Sequence, residues 1–277
     1  MKSFAGRVAA ITGAGSGIGA ALAVELVQRG AEVALSDVDA EGLAATVAAC
    51  EGYGTKVSAT RVDVADKAAV DQWAAEVVAT HGRVNAIFNN AGVAVGSTVE
   101  AMSYDDIRWL MSINFWGVVH GTMAFLPHLT AAGEGHIVNV SSVFGLVSIP
   151  SQSAYNAAKF AVRGFTDALR MELELTNSPV SATTVHPGGI RTNIARNARI
   201  NSSVRDVSAD PDSVGVDFDK IARTTPQAAA RQILTAVEHN RRRVLVGPDA
   251  HVIDAFSRLP SALVQRLLVG GARRRRR

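Results

Sequence analysis

Compact apolar runs and longer amphipathic stretches alternate along this chain. Residues 7–12, 31–36, 56–62, 84–89, 135–141, 180–186 and 242–246 are strand candidates, most of them rich in apolar residues. Between them, residues 17–29, 39–51, 66–81, 103–130, 152–176 and 226–239 carry apolar positions at helical spacing. Strands that are apolar throughout, rather than at alternate positions, are buried on both faces. Seven of them separated by helices predict an α/β fold, a Rossmann-like doubly wound parallel sheet in a single domain. No repeat or linker interrupts it. Residues 1–250 are read as this domain, with a weakly patterned loop over 190–225, and residues 251–277 as an apolar helical segment ending in arginines.

Such a sheet binds ligands at the carboxyl ends of its strands. Gly13, Asp37, Asp63, Asn90, Ser142 and Pro187 each follow a predicted strand and should converge on that edge. The first strand runs into Gly13-Ala-Gly15-Ser-Gly17-Ile-Gly19 and then a helix. Glycines on a strand-to-helix turn let the backbone approach a pyrophosphate, and the helix N-terminus supplies amide donors and a positive dipole. The spacing differs from G-x-G-x-x-G: Gly13, Gly17 and Gly19 form the critical set and Gly15 is extra.

Tyr155 and Lys159 lie four residues apart in a helical pattern, so they share one face. An unperturbed phenol titrates near 10, too high for proton transfer at neutral pH. A neighbouring ammonium favours the phenolate and turns the tyrosine into a general acid/base. Ser142, just after an apolar run, can hydrogen-bond the oxygen that gains or loses the proton. The constellation describes carbonyl/alcohol interconversion.

In these motifs the chain resembles the short-chain dehydrogenase/reductase family. The segments are Thr12-Gly13-Ala14-Gly15-Ser16-Gly17-Ile18-Gly19, Asn89-Asn90-Ala91-Gly92, Asn114, Ser142, the Tyr155/Lys159 pair and Pro187-Gly188 with Ile190 and Thr192. They occur in order over roughly residues 5–192. The resemblance implies a catalytic set of Asn114, Ser142, Tyr155 and Lys159. It implies cofactor contacts at Gly13, Ser16, Gly17, Ile18 and Gly19, at Asp63 and Val64 around the adenine, and at Asn90, Ala91 and Gly92. Pro187 and Gly188 would contact the cofactor, Ile190 and Thr192 would hold its nicotinamide carboxamide, and Lys159 would bind the nicotinamide ribose. Asn114 would expose a backbone carbonyl that orders a water leading from Lys159 to solvent; its bland reading is a surface-facing residue. Asp37, eighteen residues after Gly19, can accept hydrogen bonds from a ribose and would repel a 2′-phosphate. No Arg or Lys stands at 14–16 or 38, so NAD is expected over NADP.

Composition changes little. Among 277 residues, 48% apolar content supports a large core. A single cysteine, Cys50, precludes an internal disulfide and suits a reducing cytoplasm. No signal peptide or membrane span is expected. The net charge of +3 comes from Arg273–Arg277, without which the chain is net acidic. Such a run is read as solvated, with no nucleic-acid partner expected. The apolar stripe before it (Val252, Ile253, Phe256, Leu259, Leu263, Val264, Leu267, Leu268) is interrupted by Pro260 and reads as one or two helices packed on the domain or on another subunit. A membrane-surface helix is the sharper alternative. The expected assembly is a homodimer or homotetramer. The seven histidines show no metal-ligand spacing, and no metal is expected.

Expected pocket walls are Val93 and Val95, then Val143, Phe144 and Leu146, with Gln152 and Tyr155 nearby. A hydrophobic secondary alcohol or ketone fits these best. Two other classes remain open: a non-catalytic, NAD-sensing binding protein, and an epimerase or dehydratase on the same fold. The first would need none of the catalytic set, and the second tends to have a larger substrate domain and different glycine spacing.

Overall fold

The computed structural model describes residues 1–207 and 222–275. Its core is a seven-stranded parallel sheet: β1 (Val8–Thr12), β2 (Glu32–Asp37), β3 (Val57–Arg61), β4 (Ala86–Asn89), β6 (Gly135–Val140), β7 (Val180–Pro187) and β9 (Arg243–Val246). The spatial order is β3-β2-β1-β4-β6-β7-β9. The order reverses between β1 and β4, which is where a doubly wound sheet opens its ligand crevice.

Alternation along the strands sends successive side chains to opposite faces. Phe88 and Val138 join Leu22, Leu26, Ile233 and Leu234 on one face. Ile87 and Ile137 join Trp73, Phe125, Leu129 and Leu169 on the other. The helices supplying those residues are α1 (Gly17–Gln28), α3 (Lys67–His81), α5 (Gly117–Ala131), α6 (Ser153–Leu175) and α7 (Pro226–Glu238), with α2 (Ala40–Ala49) beside β2. Side-chain oxygens cap several starts: Asp39 accepts from the amides of Glu41 and Gly42, and Asp66 from those of Ala68 and Ala69. The chain is one α/β domain, as the hydrophobic pattern predicts.

Three features depart from the pattern. The predicted helix 103–130 is split into α4 (Tyr104–Met111) and α5 by a π turn, Ser112–Trp116, in which the Gly117 amide reaches back to Ser112 O. A one-residue widening barely disturbs apolar spacing, so the pattern does not reveal it. The loop expected to lack regular structure contributes a short strand, β8 (Arg199–Ile200), which pairs in parallel with β5 (Val95–Gly96). Of that loop, Val214, Val216 and Phe218 lie outside the described residues. The C-terminal stripe forms two helices, α8 (Pro248–Ser257) and α9 (Ser261–Arg275), divided at Pro260. Among the described residues no helix is long and apolar enough to cross a membrane.

Candidate active site

A cleft of about 1230 Å³ opens at the carboxyl edge of the sheet. At one end lies the β1–α1 turn. Gly13 holds φ +65, and a Cβ there would come within 2.8 Å of Ala91 Cα. A Cβ on Gly19 would overlap the Gly13 carbonyl. Ser16 occupies the N-cap position of α1 but makes no side-chain cap bond, and Ser16, Gly17 and Ile18 line the cleft. This glycine cradle, with the α1 N-terminus opening onto it, fits a dinucleotide pyrophosphate.

Asp37 closes β2 beside that turn. Its Oδ2 accepts from the Gly15 amide at 2.8 Å and its Oδ1 from the Asp39 amide at 3.0 Å. Gly15, extra by motif spacing, has a structural reason: a Cβ there would stand 2.9 Å from Asp37 Oδ2. Asp63 and Val64 also line the cleft. Val64 is held from behind, where its carbonyl meets His120 Nδ1 at 3.0 Å.

The β4 turn carries Asn90, Ala91 and Gly92 into the same wall. Asn90 Nδ2 donates to the carbonyls of Thr12 and Gly13, at 3.0 and 3.1 Å. Thr12 Oγ1 in turn accepts from the amides of Asn90 and Ala91. The Asn90 side chain therefore staples the β1 and β4 turns together. Asn114 is fully buried in the π turn, so the surface-facing reading does not hold. Its Nδ2 donates to Val93 O and its Oδ1 accepts from Val93 N, both at 2.8 Å.

Ser142, Tyr155 and Lys159 converge in the middle of the cleft. Ser142 Oγ accepts from the Phe144 amide at 3.1 Å, while its carbonyl meets His186 Nδ1 at 2.9 Å. Ser141, which motif reasoning passed over, donates through Oγ to Lys159 O at 2.7 Å and ties β6 to α6. Lys159 is buried, donates to Val140 O at 3.0 Å, and has its Nζ 5.6 Å from the Tyr155 ring centroid. Here the expected electrostatics need correction. Burial pushes the Tyr155 phenol up to about 12, and a hydrogen bond with Ser142 pulls it down only in part. Burial pushes the Lys159 ammonium down to about 8. Desolvation is the main cause of both shifts, and the ammonium donates to the Val140 carbonyl rather than to the phenol.

Pro187, Gly188, Ile190 and Thr192 line the next stretch of wall. Behind them Asp249 Oδ2 accepts from the Gly189 amide at 2.6 Å. That residue lies sixty positions away in sequence, so no local signal could have found it. On the far side, Val93, Val143, Phe144 and Gln152 line the cleft as expected. The Phe144 ring stands edge-on to Tyr155, with centroids 6.2 Å apart. Val95 does not line it: strand alternation gives Ala94 and Gly96 to the cleft and turns Val95 into a cluster with Leu110, Ala154 and Ala158. Leu146 is likewise buried away from it. Ile149, Ile194, Ile200, Val204 and Val207 complete this end, with Ile253, Leu267 and Leu268 from the C-terminal helices.

The family model described as short chain dehydrogenase matches residues 7–203. The chain belongs to the short-chain dehydrogenase/reductase family. It is 48% identical over 272 residues to the oxidoreductase designated SadH of Mycobacterium tuberculosis, covering 98% of this chain and 97% of that protein. Among solved structures, a short-chain dehydrogenase/reductase from Burkholderia phymatum in complex with NAD superposes with a TM-score of 0.84 at 32% identity, covering 96% of this chain and 97% of the other. Levodione reductase superposes with a TM-score of 0.78 at 29% identity, covering 90% and 99%. As a member of this family the chain carries the glycine turn, the Asn-Asn-Ala-Gly segment and the Ser/Tyr/Lys set in one cleft.

Proposed function

We propose that this oxidoreductase transfers a hydride between NAD(H) and a hydrophobic secondary alcohol or ketone, with Tyr155 as general acid/base. The observation that carries the reading is the meeting of Ser142, Tyr155 and Lys159 with the glycine cradle and Asp37 in a single cleft. The NAD-bound Burkholderia relative supports a nicotinamide cofactor. Asp37 supports NAD over NADP, because its carboxylate favours ribose hydroxyls and repels a 2′-phosphate. Residues 1–250 form the catalytic domain in this reading, with 251–277 as its C-terminal segment.

When bound, the nicotinamide supplies the hydride acceptor for alcohol oxidation, or the donor for ketone reduction. In oxidation Tyr155 takes the hydroxyl proton from the substrate, and Ser142 holds the same oxygen by a hydrogen bond. Lys159 stands over the Tyr155 ring. Its positive charge favours the phenolate and offsets part of the burial that holds the proton on the phenol. Asn114 spends its side chain on Val93. Its backbone carbonyl is left to order a water that passes the proton outward from Lys159. The mainly apolar walls Val93, Val143, Phe144 and Ile149 bind the substrate body without a charge clamp.

The test is a panel of hydrophobic secondary alcohols and ketones, followed by NADH absorbance with the parent and with Tyr155→Phe. Turnover in the parent that collapses in the variant is the expected result. Equal turnover in both, or none with any compound, would sink the reading.

A further inference from the structure

The cleft continues past Tyr155 to a wall that the family match, ending at residue 203, does not reach. Ile253 of α8 and Leu267, Leu268, Gly271 and Ala272 of α9 line it. The four α9 positions are spaced i, i+1, i+4 and i+5, so they present one helical face to the cleft. That face is apolar yet uncovered: Leu267 is 50% exposed, and a Cβ built on Gly271 would meet nothing within 4 Å. By contrast α9 is seated through Val264, which is 7% exposed, while the amides of Leu263 and Val264 close its own first turn on Pro260 O. The substrate-end walls, Ile149, Ile200, Val204 and Val207, are apolar as well.

We infer that α9 is the outer wall of the substrate site, that the apolar body of an extended alcohol or ketone lies against Leu267 and Leu268, and that Gly271 sets the size of the body admitted. The inference rests on the proposed oxidoreductase reading and adds the substrate class to it. Three observations select this occupant. The apolar face is continuous with the cleft that holds Tyr155. The space before Gly271 is open, and every described α9 residue lining it is apolar or small. Each methylene withdrawn from water against such a face strengthens binding roughly fourfold, so extended substrates should be preferred over compact ones.

The experiment measures kcat/KM with NAD for the secondary alcohols from 2-butanol to 2-dodecanol, in the parent and in Gly271→Trp. A Cβ at this position meets nothing within 4 Å, and replacing a helical glycine favours the helix. Parent kcat/KM is expected to climb by roughly fourfold per methylene until the chain reaches α9. In the variant the ratio for 2-dodecanol over 2-butanol should fall at least about tenfold, carried by KM, the loss expected when a filled pocket excludes two or more methylenes. Thermal unfolding is measured beside it, and Leu268→Ser serves as a second variant that lowers the same ratio without filling the cleft. A parent active on these alcohols with a flat chain-length profile, or ratios unchanged in both variants, overturns the inference and leaves the oxidoreductase reading standing. A parent inactive on every alcohol and ketone overturns both. A change in sedimentation mass in either variant would assign this face to a second copy of the chain instead, and also overturns it.

Discussion

Asn114 and Val93 exchange two hydrogen bonds of 2.8 Å, amide to carbonyl and backbone amide to side-chain oxygen. One buried side chain thereby satisfies both polar groups of a turn residue that lines the cleft. The π turn carries Asn114 to that place.

Asn114→Ala leaves the Val93 amide and carbonyl without protein partners at a part-buried site on the cleft wall. Each such group costs about 1–3 kcal/mol when fully buried, and Val93 is only part-buried, so the two together should cost about 2–4 kcal/mol of stability, the lower part of the sum. That corresponds to a fall in Tm of roughly 5–10 °C for a chain of this size. Asn114→Asp should not rescue it, because a carboxylate faces Val93 O with no donor. Calorimetry showing either variant as stable as the parent would contradict this account.

Tyr155→Phe should lower kcat by about 10² to 10⁴, the usual worth of general acid/base catalysis. NADH binding, followed by fluorescence titration, should change little. In the parent, alcohol oxidation should climb with pH across the alkaline range, because burial keeps the proton on Tyr155 up to about 12. The residual activity of the variant should lose that climb. A variant that keeps it would show that another group takes the proton.

Asp37 should set the choice of cofactor. A 2′-phosphate about 4 Å from its carboxylate meets a repulsion of roughly 4 kcal/mol per charge pair at an effective dielectric near 20, and solvent reduces this. A parent preference for NAD of about 10² in kcat/KM is expected, each 1.4 kcal/mol being tenfold. Asp37→Ser should narrow it from both sides. Arg61, paired in register with Asp37 and bonded to Val38 O, would then offer the phosphate a nearby cation. Parent preference for NADP, or an unchanged ratio in the variant, would refute the assignment.

Two buried histidines should make the protein acid-sensitive. Burial holds His136 down to about 3 and His186 to about 4, against an ordinary value of 6.5. Both stay neutral in the fold while the unfolded chain takes up protons below 6.5. Stability present above that pH is therefore lost as pH falls from 6.5 toward 4 for His186 and toward 3 for His136. Each contributes a slope of up to about 1.4 kcal/mol per pH unit inside its window. His136→Gln and His186→Asn keep a polar group near the bonded nitrogen and remove the titration. Melting curves at pH 7 and pH 5 should then lie closer together than in the parent; an unchanged gap would place the acid sensitivity elsewhere.

The sequence by itself determined the sheet, the crevice edge and the chemistry gathered there. Strands that are apolar throughout can be buried only in a sheet covered on both faces, and residues following parallel strands must share its carboxyl edge. Gly13, Gly19 and the four-residue spacing of Tyr155 and Lys159 are local rules that any fold must respect. Tertiary structure decided what depends on contacts between distant segments. Asn114 is buried because a π turn aims it at Val93, and one added residue leaves helical periodicity almost unmarked. Gly15 is required because Asp37, a strand away, approaches its amide. Val95 faces inward because β8 fixes the register of β5. The Tyr155 and Lys159 values are set by how much water the fold removes and where the ammonium points, neither of which spacing encodes. The α9 wall lies more than a hundred residues beyond the tyrosine, and only the folded chain brings Leu267 and Gly271 to the same cleft.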